Sequence, residues 1–269
     1  MNMRTGDLVL YKSMVIIAMC VELLATPVWA AASELALACA YGDVLAVRRL
    51  LDDGANPDEI DEEGYTPLLR AVFAGHSRPL SMHLDVINLL IDAGADVNAR
   101  VGGSPVGAIG ALHKSVSGGA AFLELTLLLL ENGADPDLDG EWGRPLHVAA
   151  ASGKAGYDEV KLLLDWGANA KALNQRGLEP LVEAVTAPSP SLEKITLLVE
   201  AGANVNAVFD WNGHNGLDAL MAAAMNGTED IVKLLLYNGA LKYSKSDDGL
   251  SAYDYAVKAG RADNALVLW

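Results

Sequence analysis

Basic side chains are scarce in this sequence. Lys and Arg number 19 against 35 Asp and Glu, giving a formal net charge of -16 over 269 residues. So acidic a surface repels phosphate, which excludes nucleic acid as the main partner. Cysteine occurs only twice, at Cys20 and Cys39, too few for a disulfide framework or a cysteine-paired metal site. Aromatics make up only 6%. Motifs that carry chemistry are missing too. There is no HExxH, no Walker loop and no GxGxxG opening a helix after a strand, and Gly102-Gly103-Ser104-Pro105-Val106 departs from GxSxG at its last position. The sequence therefore offers no catalytic residue, no cofactor and no small-molecule substrate, and reads as a chain without enzymatic activity. Apolar residues, at 52%, and 26 glycines are what it has in quantity. That composition excludes a disordered chain and suits short helices joined by tight turns.

The first thirty residues differ from the rest. Arg4 and Lys12 precede an uninterrupted apolar run from Met14 to Val21, and small residues follow at Val28-Trp29-Ala30 and Ala30-Ala31-Ala32. This is the layout of a cleaved secretory leader over 1-30. A bilayer-spanning helix needs about 20 apolar residues, so no stable membrane span is expected after cleavage. The expected compartment is periplasmic or secreted. The alternative is a cytosolic protein with an amphipathic N-terminus, or an effector exported by another route. Cleavage leaves Cys39 alone, which suits an oxidising compartment.

From there on the chain is periodic. DDGAN, DAGAD, ENGAD, DWGAN, EAGAN and YNGAL place Gly54, Gly94, Gly133, Gly167, Gly202 and Gly239 at spacings of 40, 39, 34, 35 and 37 residues. Each follows a run such as VKLLLDWG in which Leu recurs at i, i+3 and i+4, the stripe of a helix with one buried face. Glycine then ends the helix, because it adopts the left-handed conformation without a Cβ clash. A second glycine series follows about ten residues behind: Gly64, Gly103, Gly143, Gly177, Gly213 and Gly249. Behind it come helix starts, clearest at Thr66-Pro67-Leu68 and Arg144-Pro145-Leu146-His147, and weaker at Ser104-Pro105-Val106. Small residues line these helices, among them Ala71, Ala149, Ala184, Ala222 and Ala256.

The unit RPLHVAAASGKAGYDEVKLLLDWGANAKALNQRG resembles an ankyrin repeat. The resemblance covers about residues 33 to 269 and implies an all-α solenoid of helix-turn-helix units with short β-turn fingers. About six repeats are expected, near 33-64, 65-102, 103-142, 143-176, 177-213 and 214-249, with a C-terminal cap at 250-269, so that 31-269 is one repeat domain. Against the family period of about 33 residues, repeats two, three and five are long. The extra residues are expected between the two helices, at Ser77-Leu84, about His113-Gly119 and Ala187-Ser191. Repeat three is expected to be irregular. The resemblance also implies a structural hydrogen bond for His147 and a structural place for His76. A metal or enzyme site in the insertions, for instance at His76 and His83, is the rival reading; two solvated histidines are expected instead.

A stack of incomplete units presents a concave face of turns and first helices, a surface for holding another protein. Candidate contacts on the acidic turns are Asp58, Glu59, Asp61 and Glu62 in the first finger, Asp137, Asp139, Glu141 and Trp142 in the third, and Phe209, Asp210 and Trp211 in the fifth. Acidic fingers would steer a basic protein, and large aromatics would anchor it. Two competing readings are that acidic loops serve solubility alone and that the aromatics pack back on neighbouring fingers. The fourth finger, AKALNQRG, is basic, so the strip is not uniform. The expected function is a non-enzymatic adaptor or inhibitor, of the immunity type in its most specific version, binding a partner protein with a basic surface.

Overall fold

The glycine that ends each second helix does so in the same way six times. Gly54, Gly94, Gly133, Gly167, Gly202 and Gly239 all sit at φ between +86° and +90°. The next alanine's N–H reaches back to a leucine carbonyl five residues earlier, as in Ala55 to Leu50 (2.9 Å) and Ala168 to Leu163 (2.9 Å). This reverse turn satisfies carbonyls that the helix end leaves without partners. The structure is a computed structural model that describes residues 34–101, 108–152 and 156–269. The leader read at 1-30 lies outside these residues, as does Ser104-Pro105-Val106.

Seven helix pairs follow one another among the described residues. They are α1 (Glu34–Tyr41) with α2 (Val44–Asp52), α3 (Pro67–Ala74) with α4 (Ser81–Asp92), α5 (Ala111–Ser117) with α6 (Leu123–Glu131), and α7 (Pro145–Ala151) with α8 (Tyr157–Asp165). Then come α9 (Pro180–Thr186) with α10 (Leu192–Glu200), α11 (Ala219–Asn226) with α12 (Glu229–Tyr237), and α13 (Ala252–Lys258) with α14 (Ala262–Leu268). Each first helix packs on the first helix of the next pair. The small residues make that approach possible: Ala71, Ala149, Ala184, Ala222 and Ala256 are all buried. The leucine stripes of the second helices, such as Leu90, Leu129, Leu163, Leu198 and Leu235, close the same continuous core. The Thr66 hydroxyl accepts the Leu69 N–H (3.3 Å) and caps α3, with Pro67 in the first turn.

Repeat three departs from the sequence reading. Its first helix begins at Ala111, so Leu112-His113 takes the place that Leu146-His147 takes in the next repeat. The His113 ring Nε2 meets the Gly143 carbonyl at 3.1 Å, as the His147 Nε2 meets Leu178 O at 2.9 Å. His113-Gly119 is thus not an insertion between helices. The added length precedes α5, between β1 (Arg100–Val101) and β2 (Ile109–Gly110), which pair antiparallel. The Ser77-Leu84 insertion lies only partly between helices, since α4 already starts at Ser81. In repeat five, residues 187–191 do separate α9 from α10. His83 is not solvated: it is fully buried, its ring 3.3 Å from Ala40 O of the first repeat.

Polar side chains at the third position of the second helix tie neighbouring pairs together. His83 does so in α4. Asn264 in α14 donates to Ala223 O (3.3 Å) and Ala224 O (3.0 Å). Lys194 in α10 is fully buried, and its ammonium donates to Ala149 O (3.1 Å), Ala150 O (3.0 Å) and Ser152 Oγ (3.2 Å) at the end of α7. Burial pushes this amine down to about 8, against the nearby Glu159 charge, which pulls it up. An unfolded lysine keeps its proton to about pH 10.5, so between pH 8 and that value the unfolded chain binds more protons than the folded one. The folded chain should therefore gain stability as pH rises through this window. Urea melts at pH 7.5 and 9.5 should show that gain in the wild type and lose it in Lys194→Met; an equal gain in both would refute the assignment.

Candidate functional site

The turn that joins one helix pair to the next projects as a finger, and the fingers are laced together. Asp58 accepts the Asp96 N–H (2.8 Å), Asn98 the Asp135 N–H (2.8 Å), Asp137 the Asn169 N–H (3.1 Å) and Asn206 the Leu241 N–H (3.0 Å). Lys171 holds the corresponding place in the fourth finger and has no oxygen to offer. There the Asn204 N–H is taken by Glu179, just before α9, at 2.9 Å. Two candidate contact residues, Asp58 and Asp137, are thus members of this lacing.

The remaining candidates divide by burial. Asp61 is not on the surface: its side chain is fully buried against the Arg70 guanidinium at 2.6 Å, and it also accepts the N–H groups of Glu63 (3.0 Å) and Tyr65 (2.9 Å). Phe209 is likewise buried, because it faces Leu217 across the hairpin and joins the core. Asp61 therefore has almost no surface to offer a partner, while Phe209, though buried, lines the base of the cleft between the fourth and fifth fingers. Asp139 is exposed, but with Asp137 it brackets Arg144, whose nitrogens lie 3.1 and 3.3 Å away. Glu59, Glu62, Glu141 and Asp210 are exposed. Trp142 is 61% exposed, while Trp211 is half-buried. Trp166 is 43% exposed at the end of α8.

What sequence reasoning missed is how Trp211 is presented. Phe209–Trp211 (β3) and His214–Leu217 (β4) form an antiparallel hairpin, closed by Asn212 at φ 53° and Gly213 at φ 80°. Two successive left-handed residues make the turn that matches strand twist, and Asn-Gly is its strongest sequence signal. The Asp210 carboxylate braces the hairpin by accepting the Gly216 N–H at 2.9 Å.

Two clefts open between neighbouring fingers, floored by first-helix residues. The first, of about 540 Å³, lies between the third and fourth fingers, with Trp142 and Glu141 on one wall, Gln175 and Arg176 on the other, and Val148 and Ala151 on its floor. The second, of about 230 Å³, lies between the fourth and fifth, walled by Arg176 and by Asp210-Trp211 over Val182 and Thr186. Arg176 and Glu183 pair in an ion bridge that borders both clefts. Glu183 also accepts from the Asn174 amide at 2.9 Å. Burial holds the His147 imidazole below its ordinary value, against hydrogen bonding to Leu178 that raises it, so at neutral pH it is an uncharged part of the wall. Among the described residues no group of three or more His, Cys, Asp or Glu side chains could hold a metal ion, and no helix is long and apolar enough to cross a membrane. The Asn226 amide, in a glycosylation-like triplet, is engaged by Ala187 O at 2.7 Å.

Family models for ankyrin repeats match residues 35–82 (many copies) and residues 112–209 and 209–269 (three copies). An ankyrin repeat-containing protein of Schizosaccharomyces pombe is 37% identical over 73 residues, 27% of this chain and 28% of that protein. A probable E3 ubiquitin-protein ligase of Oryza sativa subsp. japonica is 42% identical over 100 residues, 36% of this chain and 17% of that protein. The chain spans less than a third of either relative. Among solved structures, the human ASB11 ankyrin repeat domain has a TM-score of 0.66 at 26% identity, covering 88% of this chain and 98% of that one. An ankyrin repeat domain from Acinetobacter baumannii has a TM-score of 0.66 at 28% identity, covering 77% and 98%. The one model alone accounts for all of residues 112–269, more than half the chain, in register with the helix pairs described above; this chain belongs to the ankyrin-repeat family.

Proposed function

We propose that this chain is a protein-binding adaptor or inhibitor without enzymatic activity of its own, which grips a partner protein through the concave face between Trp142 and Trp211. One observation carries the reading: an indole that is 61% exposed stands over an open cleft, uncovered by any of the described residues. Trp is the residue type most enriched among binding hot spots. The net charge of -16, with Glu141 and Asp210 on the cleft walls, favours a partner with a basic surface. The leader read at 1-30 supports export, which places the encounter in the periplasm or outside the cell and suits an immunity-type inhibitor of a basic protein. An interaction module of the ankyrin-repeat family supports binding, whereas a ligase activity belongs to the whole of a relative that this chain matches over 17% of its length.

Affinity capture from an extracellular or periplasmic extract tests this reading. The mature bait should begin between Ala31 and Ser33, and it should retain one partner that Trp142→Ala and Trp211→Ala each release. High salt should slow capture more than it weakens the complex once formed. A partner held equally by both tryptophan variants would place the binding face elsewhere, and an intact Met1 in the isolated protein would end the export reading.

A further inference from the structure

We infer that the two clefts receive two cationic side chains, three residues apart, from one extended segment of the partner; this rests on the concave face being the binding face. The clefts repeat one motif: each has a tryptophan with an adjacent carboxylate on its outer wall, Glu141-Trp142 in one and Asp210-Trp211 in the other. Both share the Arg176–Glu183 bridge as their inner wall. That bridge leaves Arg176 already matched, so the outer-wall carboxylates and indole faces set the character of each slot. An indole face beside a carboxylate suits a guanidinium, which stacks on the ring and hydrogen-bonds to the acid in one plane.

The repeat of the solenoid sets the spacing. Packed helices lie about 8–10 Å apart, so successive inter-finger clefts do too. A polyproline-II segment rises about 3.1 Å per residue and returns to the same face every third residue, which brings like-facing side chains about 9 Å apart. A β-strand returns to one face at about 6.6 Å and again at about 13 Å, and matches neither. An α-helix is about 10–12 Å wide, and the Arg176–Glu183 bridge standing between the clefts blocks a rod of that width from settling into both.

The test uses the full mature chain and twelve-residue proline-rich synthetic peptides carrying two arginines at i,i+2, i,i+3 or i,i+4, with a glutamate pair at i,i+3 as control. Binding is read by titration calorimetry. The i,i+3 arginine peptide should bind at least tenfold more tightly than the other spacings, and the glutamate peptide should not bind. Trp142→Ala and Trp211→Ala should each cost about tenfold, while Trp166→Ala, which lies outside both clefts, should leave binding unchanged. Circular dichroism establishes that the three variants are folded. Equal binding at all spacings, or no loss in either cleft variant, overturns the inference. If the captured partner still depends on Trp142 but no arginine peptide binds, the docking face stands and the paired-cation reading falls. If capture is indifferent to both tryptophans, the docking face falls as well.

Discussion

Asp61→Ala is expected to lose about 3–5 kcal/mol of folding stability, the range seen when one partner of a buried ion pair is removed. The carboxylate is fully buried 2.6 Å from the Arg70 Nε, and the guanidinium, itself only 4% exposed, lies 4.1 Å over the Tyr65 ring. Without Asp61 the guanidinium keeps its contact with Glu63, at 3.1 Å, but not its buried counter-charge. The two turn N–H groups of Glu63 and Tyr65 lose their acceptor as well. Asp61→Asn keeps an oxygen for those groups and should fall between. The effect also has a pH signature. Burial alone would push this carboxyl up, but the Arg70 hydrogen bond and charge and the two turn N–H groups outweigh it and hold it below the ordinary aspartate value. Its contribution is therefore complete above about pH 4 and is lost as pH falls through the lower, folded value. Urea denaturation at pH 7 and pH 3 should show a large gap between wild type and Asp61→Ala that narrows in acid. A gap under about 1 kcal/mol at pH 7 would mean that the pair is no better than a surface bridge.

Gly143→Ala should cost about 2–5 kcal/mol, and Gly167→Ala only about 1–2 kcal/mol, although both glycines are left-handed. At Gly143, φ is +95°, and a Cβ would stand 2.8 Å from the Asn174 Cβ and 2.9 Å from the His147 ring. That ring is held from both sides, by the Arg144 N–H at 3.2 Å and by Leu178 O at 2.9 Å. It cannot yield without giving up the link between repeats. At Gly167, φ is +86° and a Cβ would meet nothing within 4 Å, so backbone strain acts alone. Thermal melts of the two variants side by side separate strain from crowding. Equal losses would show that the histidine link is soft.

The two positions also mark what was legible in the sequence. The GAD/GAN glycines and leucine stripes announce the second helices without ambiguity, because helix termination by glycine and one-sided burial are local properties. The first helix of repeat three was harder. Ser104-Pro105 looks like a helix start by local chemistry and lies outside the described residues; the helix that packs in this repeat starts at Ala111, a start that reveals itself only when His113 is aligned with His147. Burial of the candidate contacts was not legible at all. Acidic residues two or three apart in a turn look alike in sequence, but Asp61 is drawn inward by an arginine nine residues on, and Asp58 is used by the next repeat. Trp142 and Trp211 were found by residue type. The place of Trp211 in its cleft depends on the hairpin that the Asn212-Gly213 turn closes, which residue type alone does not indicate.

The lacing of the fingers skips one stitch, at Lys171, and that gap falls between the two tryptophans. Fingers one to four are joined by a side-chain oxygen at each rung, as are fingers five and six, whereas between the fourth and fifth the Lys171 side chain lies beside Gly202 and the Asn204 N–H goes to Glu179 at the base. Trp142 and Trp211 therefore stand on opposite sides of the one finger junction that is built differently from the rest. The packing of α9 against α11 sets the distance between the two clefts, and a change at Lys171 or Glu179 alters the one junction that lies between the tryptophans while leaving the other rungs as they are.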